Sequence, residues 1–258
     1  MSHKIIVNPE VLSPSYLPEK LLHRNKEQAQ LIRNIKNSVN TFLYGSPSSG
    51  KTSLIRRTIQ DSSFKKEKLI YIDCRLYQTT NSILREILYA LNVPFFCRSN
   101  YELVNILRKK TKDHKLVACL DHFKRLREVE LVDKLLSIDV CVIVVSDRKE
   151  SFMRLDPATR ASFTLMRIPK YSIGQVFDII KARAEQALRT GSYSDEVIRK
   201  IAKRSNGDVS LAINMLKTAA LKAESEKRSK IEVDDIPRSD CPRLELSYDE
   251  RVLLNILE

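Results

Sequence analysis

The residues best suited to chemistry form one run and one pair. The run is Gly45-Ser46-Pro47-Ser48-Ser49-Gly50-Lys51-Thr52, closed by Ser53; the pair is Asp121-His122, about 70 residues further on. The run fits G-x-x-x-x-G-K-[ST], the phosphate-binding loop. Gly50 lets the backbone turn close to an anion, and successive N–H groups with a helix N-terminus then face it. Lys51 reaches the β and γ oxygens, and the Thr52 hydroxyl can ligate Mg²⁺. The chemistry implied is binding of ATP or ADP with Mg²⁺; the loop does not by itself establish hydrolysis. Asp121 is the natural second partner for the metal. His122 stands where an ATP-hydrolysing enzyme often keeps a second, water-activating carboxylate. It reads either as a substitute base, with an ordinary pKa of ~6.5, or as a lost catalytic acid. The second reading is favoured, because Mg²⁺ and Lys51 would discourage the imidazole from gaining a proton.

These residues need particular elements to position them. "VNTFLY" (39–44) is a short strand before the loop, and "SLIRRTIQ" resumes a helical pattern after it. "KLIYID" (68–73), 115–120 and "VCVIVVS" (140–146) are further strands, and Asp121 ends the third of the four. Helices are expected at 24–38, 80–92, 100–111 and about 127–137. Strands alternating with helices imply an α/β fold with a mostly parallel sheet and ligands at its carboxyl ends. Residues 1–20, with three prolines, read as an irregular arm. After 167–172 no strand pattern follows. Helices are expected at 173–189, 195–204 (with Ser194 as N-cap) and 209–226. The division is thus 1–171 for the α/β domain with its arm, 172–236 for a small all-helical domain, and 237–258 for a linker and the start of a missing domain.

Composition narrows the partners. The formal net charge is +13, which favours nucleic acid or another polyanion. No apolar run approaches the ~20 residues of a membrane span, and the N-terminus lacks an apolar signal core. An intracellular protein is expected. The five cysteines show no C-x-x-C pairing, and Cys119 and Cys141 lie in strand-like runs. They read as core residues rather than as disulfide or zinc ligands.

At this point the chain resembles the AAA+ replication initiators of archaea, the group related to origin recognition complex subunit one and cell-division-cycle protein six. The likeness runs from about residue 10 to 236. "LSPSYLPEKLLHRNKEQ" is similar to the family's N-terminal box, which implies that Tyr16, Leu17, Pro18, His23 and Arg24 lie near the adenine. "YIDCRLYQTTNSILREILYALNVP" resembles the strand and extra helix that mark initiators. "SFMRLDPATRASF" looks like the arginine-finger segment, with Arg160 as the finger. "IPKYSIGQVFDIIKARAEQAL" and "SNGDVSLAINML" resemble the lid domain and second sensor. Three positions depart from the pattern. His122 replaces the family's Glu, Asp147 stands at the first sensor where Asn is usual, and Ser210 stands at the second sensor where Arg is usual. The family's winged-helix domain is expected to be absent or truncated here.

The resemblance implies an ATP/ADP-binding initiator-type protein, cytoplasmic and nucleoid-associated, that binds double-stranded DNA in a nucleotide-dependent way. Losing a carboxylate, a polar sensor and a cation should leave hydrolysis weak or absent. Whether the chain is an enzyme stays open. Arg75, Arg85 and Arg98, near the initiator helix, are the DNA-binding candidates. Alternatives are an active DNA-stimulated ATPase using His122, or a non-catalytic DNA-bound regulator. The latter could be a subunit in a hetero-oligomer with an AAA+ paralogue, or a homo-oligomer, with Arg160 acting in trans.

Overall fold

A computed structural model describes residues 4–94, 99–112 and 115–238. The chain divides into two compact units, Leu17–Tyr171 and the residues up to Tyr16 together with those from Ser172 on.

The α/β unit is built on five strands: β1 (Thr41–Tyr44), β2 (Glu67–Asp73), β3 (Lys115–Asp121), β4 (Cys141–Ser146) and β5 (Thr164–Arg167). They form one sheet in the order β2-β3-β4-β1-β5, and every pairing is parallel. Burial on both faces explains why β3 and β4 read as continuous apolar runs. Alternation still sorts their side chains. Phe42, Leu116, Ala118, Leu120, Val142 and Val144 enter one core. That core is closed by α3 (Thr80–Ala90), α4 (Asn100–Thr111) and α5 (Leu131–Leu136). Leu43, Val117, Cys119, Cys141, Ile143 and Val145 enter the other, under α1 (Asn25–Lys36) and α2 (Lys51–Ile59). Cys74, Cys119 and Cys141 are buried thiols. Burial pushes the Cys141 thiol up to about 11, so it packs as a small apolar group.

Two elements differ from the sequence expectation. β5 is an additional edge strand. Only its Met166 is buried, so no apolar run announced it. The helix expected at about 127–137 starts four residues late. Residues 127–130 form a bend and a turn after the 3₁₀ turn Phe123–Arg125, and the Arg127 N–H donates to Gln78 O.

The helical unit contains α7 (Ile173–Ala187), α8 (Asp195–Ser205) and α9 (Val209–Ser225). Each has a side-chain cap on its first-turn amides: Ser172, Ser194 and Asp208. Ser194 is the N-cap read from the sequence. The N-terminal arm as far as Tyr16, assigned from the sequence to the α/β domain, groups with this helical unit, and Leu17 onward stays with the α/β unit. It includes a 3₁₀ helix, Pro9–Leu12, whose Val11 and Leu12 are buried. The Val7 N–H donates to Ala187 O, and Arg183 donates to Val11 O. No helix among the described residues is long and apolar enough to cross a membrane.

Candidate nucleotide site

The loop between β1 and α2 brings most of the sequence-selected residues together. Ser48 and Gly50 both take positive φ, +58° and +87°, which turns successive backbone amides inward. Gly50 is also the N-cap of α2 and supplies no capping side chain, so the helix N-terminus is left open to an anion. Neither glycine can be replaced without strain. A Cβ on Gly45 would fall 2.3 Å from Ile168 O, and one on Gly50 would fall 2.8 Å from the Tyr171 hydroxyl. The buried Ser46 Oγ and Ser49 Oγ have no partner. Orphaned hydroxyls, an uncapped helix and close-approach glycines together fit a polyphosphate. Pro47 is exposed on the rim, and Ser53 sits on the first turn of α2.

Lys51 is buried at the head of α2. Its ammonium donates to Gly45 O at 2.9 Å and Ser46 O at 2.8 Å, and pairs with Asp147 Oδ1 at 3.2 Å. Burial holds its pKa below the ordinary value, against the pull of Asp147 and Asp121. The Thr52 hydroxyl donates to Asp121 Oδ2 at 2.7 Å. Tyr71 donates to the same oxygen at 2.9 Å, and the His122 N–H donates to Oδ1 at 2.7 Å. A carboxylate oxygen held beside a threonine hydroxyl, at the mouth of a phosphate loop, is a donor set suited to Mg²⁺.

His122 takes a left-handed backbone, φ +55°, at the end of β3. Its Nε2 lies 3.8 Å from Asp121 Oδ2. Burial lowers its pKa, outweighing the pull of Asp121, so the ring is neutral at neutral pH. Two further acids in the site are already engaged. Arg75 forks onto Asp73, with its Nε 3.0 Å from both carboxylate oxygens. Asp147, which follows β4, sits between Lys51 and Lys124. Burial raises the Asp147 pKa, but the hydrogen bond from Lys124 and the charge of Lys51 carry it below the ordinary value.

The remaining selected residues make contacts of their own. Arg24 is fully buried behind the loop, stacked 3.8 Å from the Tyr171 ring centroid and donating to Ser49 O and Pro169 O. It braces the loop from inside. Leu17 and Pro18 are half-buried and His23 is exposed. Tyr16 belongs to the helical unit, where it donates to Gln186 and lies under Arg183. Ser210 is exposed on the first turn of α9 in that same unit. Arg160 sits on the short helix α6 (Pro157–Ala161), with its guanidinium 3.1 Å from Met153 Sδ. Arg75 and the half-buried Arg85 flank the start of α3 and lie upon it, respectively. Arg98 lies outside the described residues. Sequence reading missed Tyr71, Lys124 and Tyr171. Tyr71 had a signal, a hydroxyl inside an apolar strand; the other two had none.

Comparison with known proteins agrees with this architecture. Residues 177–240 match the Cdc6 AAA+ ATPase-type lid domain. The ORC1-type DNA replication protein 1 of Sulfolobus acidocaldarius is 30% identical over 275 residues, spanning 95% of this chain and 68% of the relative. The structure of Cdc6p from Pyrobaculum aerophilum superposes with a TM-score of 0.81 at 28% identity, over 91% of this chain and 71% of that one. The Aeropyrum pernix ORC1 protein, solved in complex with DNA, shares the fold with a TM-score of 0.79 at 24% identity, over 97% and 70%. AAA+ proteins generally bind ATP or ADP with Mg²⁺.

Proposed function

The chain belongs to the archaeal ORC1/Cdc6-type AAA+ replication initiators, and from that premise we propose a nucleotide switch with little or no hydrolysis. ATP or ADP binds at Gly45–Thr52 with Mg²⁺, and the bound state governs the grip on duplex DNA. The observation that carries the binding half is the Thr52–Asp121 contact at 2.7 Å beside the uncapped head of α2. Lys51 and the loop amides would hold the phosphates; Thr52 and Asp121 would hold the metal. Mg²⁺ supplies neutralisation of phosphate charge when bound.

Weak hydrolysis follows from what surrounds Asp121. The neighbouring position carries a neutral imidazole, and Asp73 and Asp147 are each ion-paired. That leaves no idle carboxylate among these residues to orient or deprotonate water. The DNA half draws on the Aeropyrum pernix relative, which was solved with DNA, and on the net charge of +13. Arg75, paired with Asp73, and Arg85 on α3 are the described candidates for that grip. A cytoplasmic, nucleoid-associated role and assembly with itself or an AAA+ paralogue, with Arg160 acting in trans, belong to the same reading.

Lys51→Ala should weaken ADP and ATP binding by roughly 100-fold, because the mutant loses the buried cation facing the phosphates. Unchanged affinity in a titration would overturn the assignment. A second reading takes the neutral His122 ring, whose Nε2 lies 3.8 Å from Asp121 Oδ2, as a working base. Multiple-turnover ATP hydrolysis by the native protein that vanishes in His122→Ala would establish it. Turnover that arises only in His122→Glu would support the retired site.

A further inference from the structure

The phosphate-loop lysine already has an anion of the protein's own. All three Lys51 protons are engaged, by Gly45 O, Ser46 O and Asp147 Oδ1. The second Asp147 oxygen accepts from Lys124 Nζ at 2.8 Å. Strand geometry delivers this carboxylate. Ser146, the residue before it, pairs in register with Tyr44, the residue before the loop. The Asp147 side chain is 20% exposed and Lys124 is 50% exposed, so the acid is largely withdrawn from water while its second cation stays accessible. Lys124 itself lies in the turn Phe123–Arg125, just after the Asp121 strand.

We propose that Asp147, steadied by Lys124, is an internal counter-anion that makes this site select a nucleoside diphosphate over a triphosphate. The proposal rests on the reading that the loop binds nucleotide. A diphosphate can seat its terminal phosphate on the open amides of α2 and the loop. A γ-phosphate brings further negative charge to the ammonium that Asp147 already occupies. It must displace that carboxylate or share the lysine with it in a partly desolvated site, where like charges repel more strongly than in water. A neutral side chain at 147 removes the conflict. Lys124 works in the opposite sense, because it offsets the Asp147 charge. The two residues therefore predict opposite shifts in one ratio.

The test is calorimetric titration of the full chain with Mg²⁺-ADP and with a non-hydrolysable Mg²⁺-ATP analogue. The native protein is expected to prefer the diphosphate by about tenfold or more. Asp147→Asn and Asp147→Ser should each bring the two affinities to within about threefold, and Lys124→Ala should widen the gap. Two independent 147 variants keep the result from resting on one that folds poorly. Equal native affinities, or a ratio unmoved by both 147 variants, would overturn the proposal while leaving nucleotide binding intact. A native protein that binds neither nucleotide would overturn the nucleotide reading, and this inference with it.

Discussion

Arg24 concentrates several links of the fold on one side chain. It is 1% exposed, and its two terminal nitrogens are met while the buried Nε has no partner. Its Nη2 serves Ser49 O in the phosphate loop and Pro169 O just past β5, while Nη1 pairs with Glu27 at 3.2 Å. The Tyr171 ring covers its face, and that ring's hydroxyl fills the space beside Gly50. These contacts are those of a brace beneath the loop. Arg24→Ala would remove the cation paired with Glu27 and the donor to the carbonyls of His23, Ser49 and Pro169. It should lower unfolding stability by about 3–5 kcal/mol in urea titration. Arg24→Lys should recover less than half of that, since an ammonium cannot fork between two carbonyls and stack on a ring. Full recovery by lysine would reduce the role to charge alone.

At the level of elements, the legible part of the fold was the part with a repeating apolar signal. β1, β3 and β4 are buried runs, β2 is buried toward its C-terminal end, and α7 to α9 carry helical spacing with polar caps, so both appear in the sequence with boundaries shifted by one or two residues. β5 escaped because an edge strand needs little apolar surface, and Met166 alone is buried. The phosphate loop and Asp121 were legible because their chemistry fixes residue type and spacing. Tyr171 and Lys124 were not, since a tertiary contact leaves no local periodicity. Asn40 is of the same kind. Its Oδ1 accepts from Val142 N at 2.9 Å, and its backbone O accepts from Thr164 N at 2.8 Å. It thereby clips the starts of β4 and β5 to β1. Asn40→Ala strands the buried Val142 N–H, and its cost should be about 1–3 kcal/mol. Asn40→Asp retains the acceptor and should cost less. Hydrogen exchange at Val142 offers a local readout; protection there unchanged in Asn40→Ala would remove the clip from the account.

For the whole molecule the governing quantity is charge. The chain carries 45 Lys and Arg against 32 Asp and Glu. Many of its acids are matched internally: Asp235 by Arg228 and Lys222, Asp73 by Arg75, Asp147 by Lys51 and Lys124. Every acid so matched consumes at least one cation, yet the surplus of 13 remains and must be solvated or neutralised by a partner. If that partner is duplex DNA, binding releases condensed counterions. The logarithm of affinity then falls with the logarithm of salt by about 0.9 for each phosphate neutralised. Engagement of four to six phosphates predicts a loss of roughly 10²–10³-fold between 50 and 200 mM salt. Duplex length should matter more than duplex sequence, because phosphate contacts position without reading bases. Fluorescence anisotropy on two unrelated duplexes of equal length, across that salt range, measures both. A flat salt dependence would mean that the surplus charge serves something other than DNA. A steep dependence combined with strong preference for one sequence would require base contacts beyond the phosphate-gripping arginines named above.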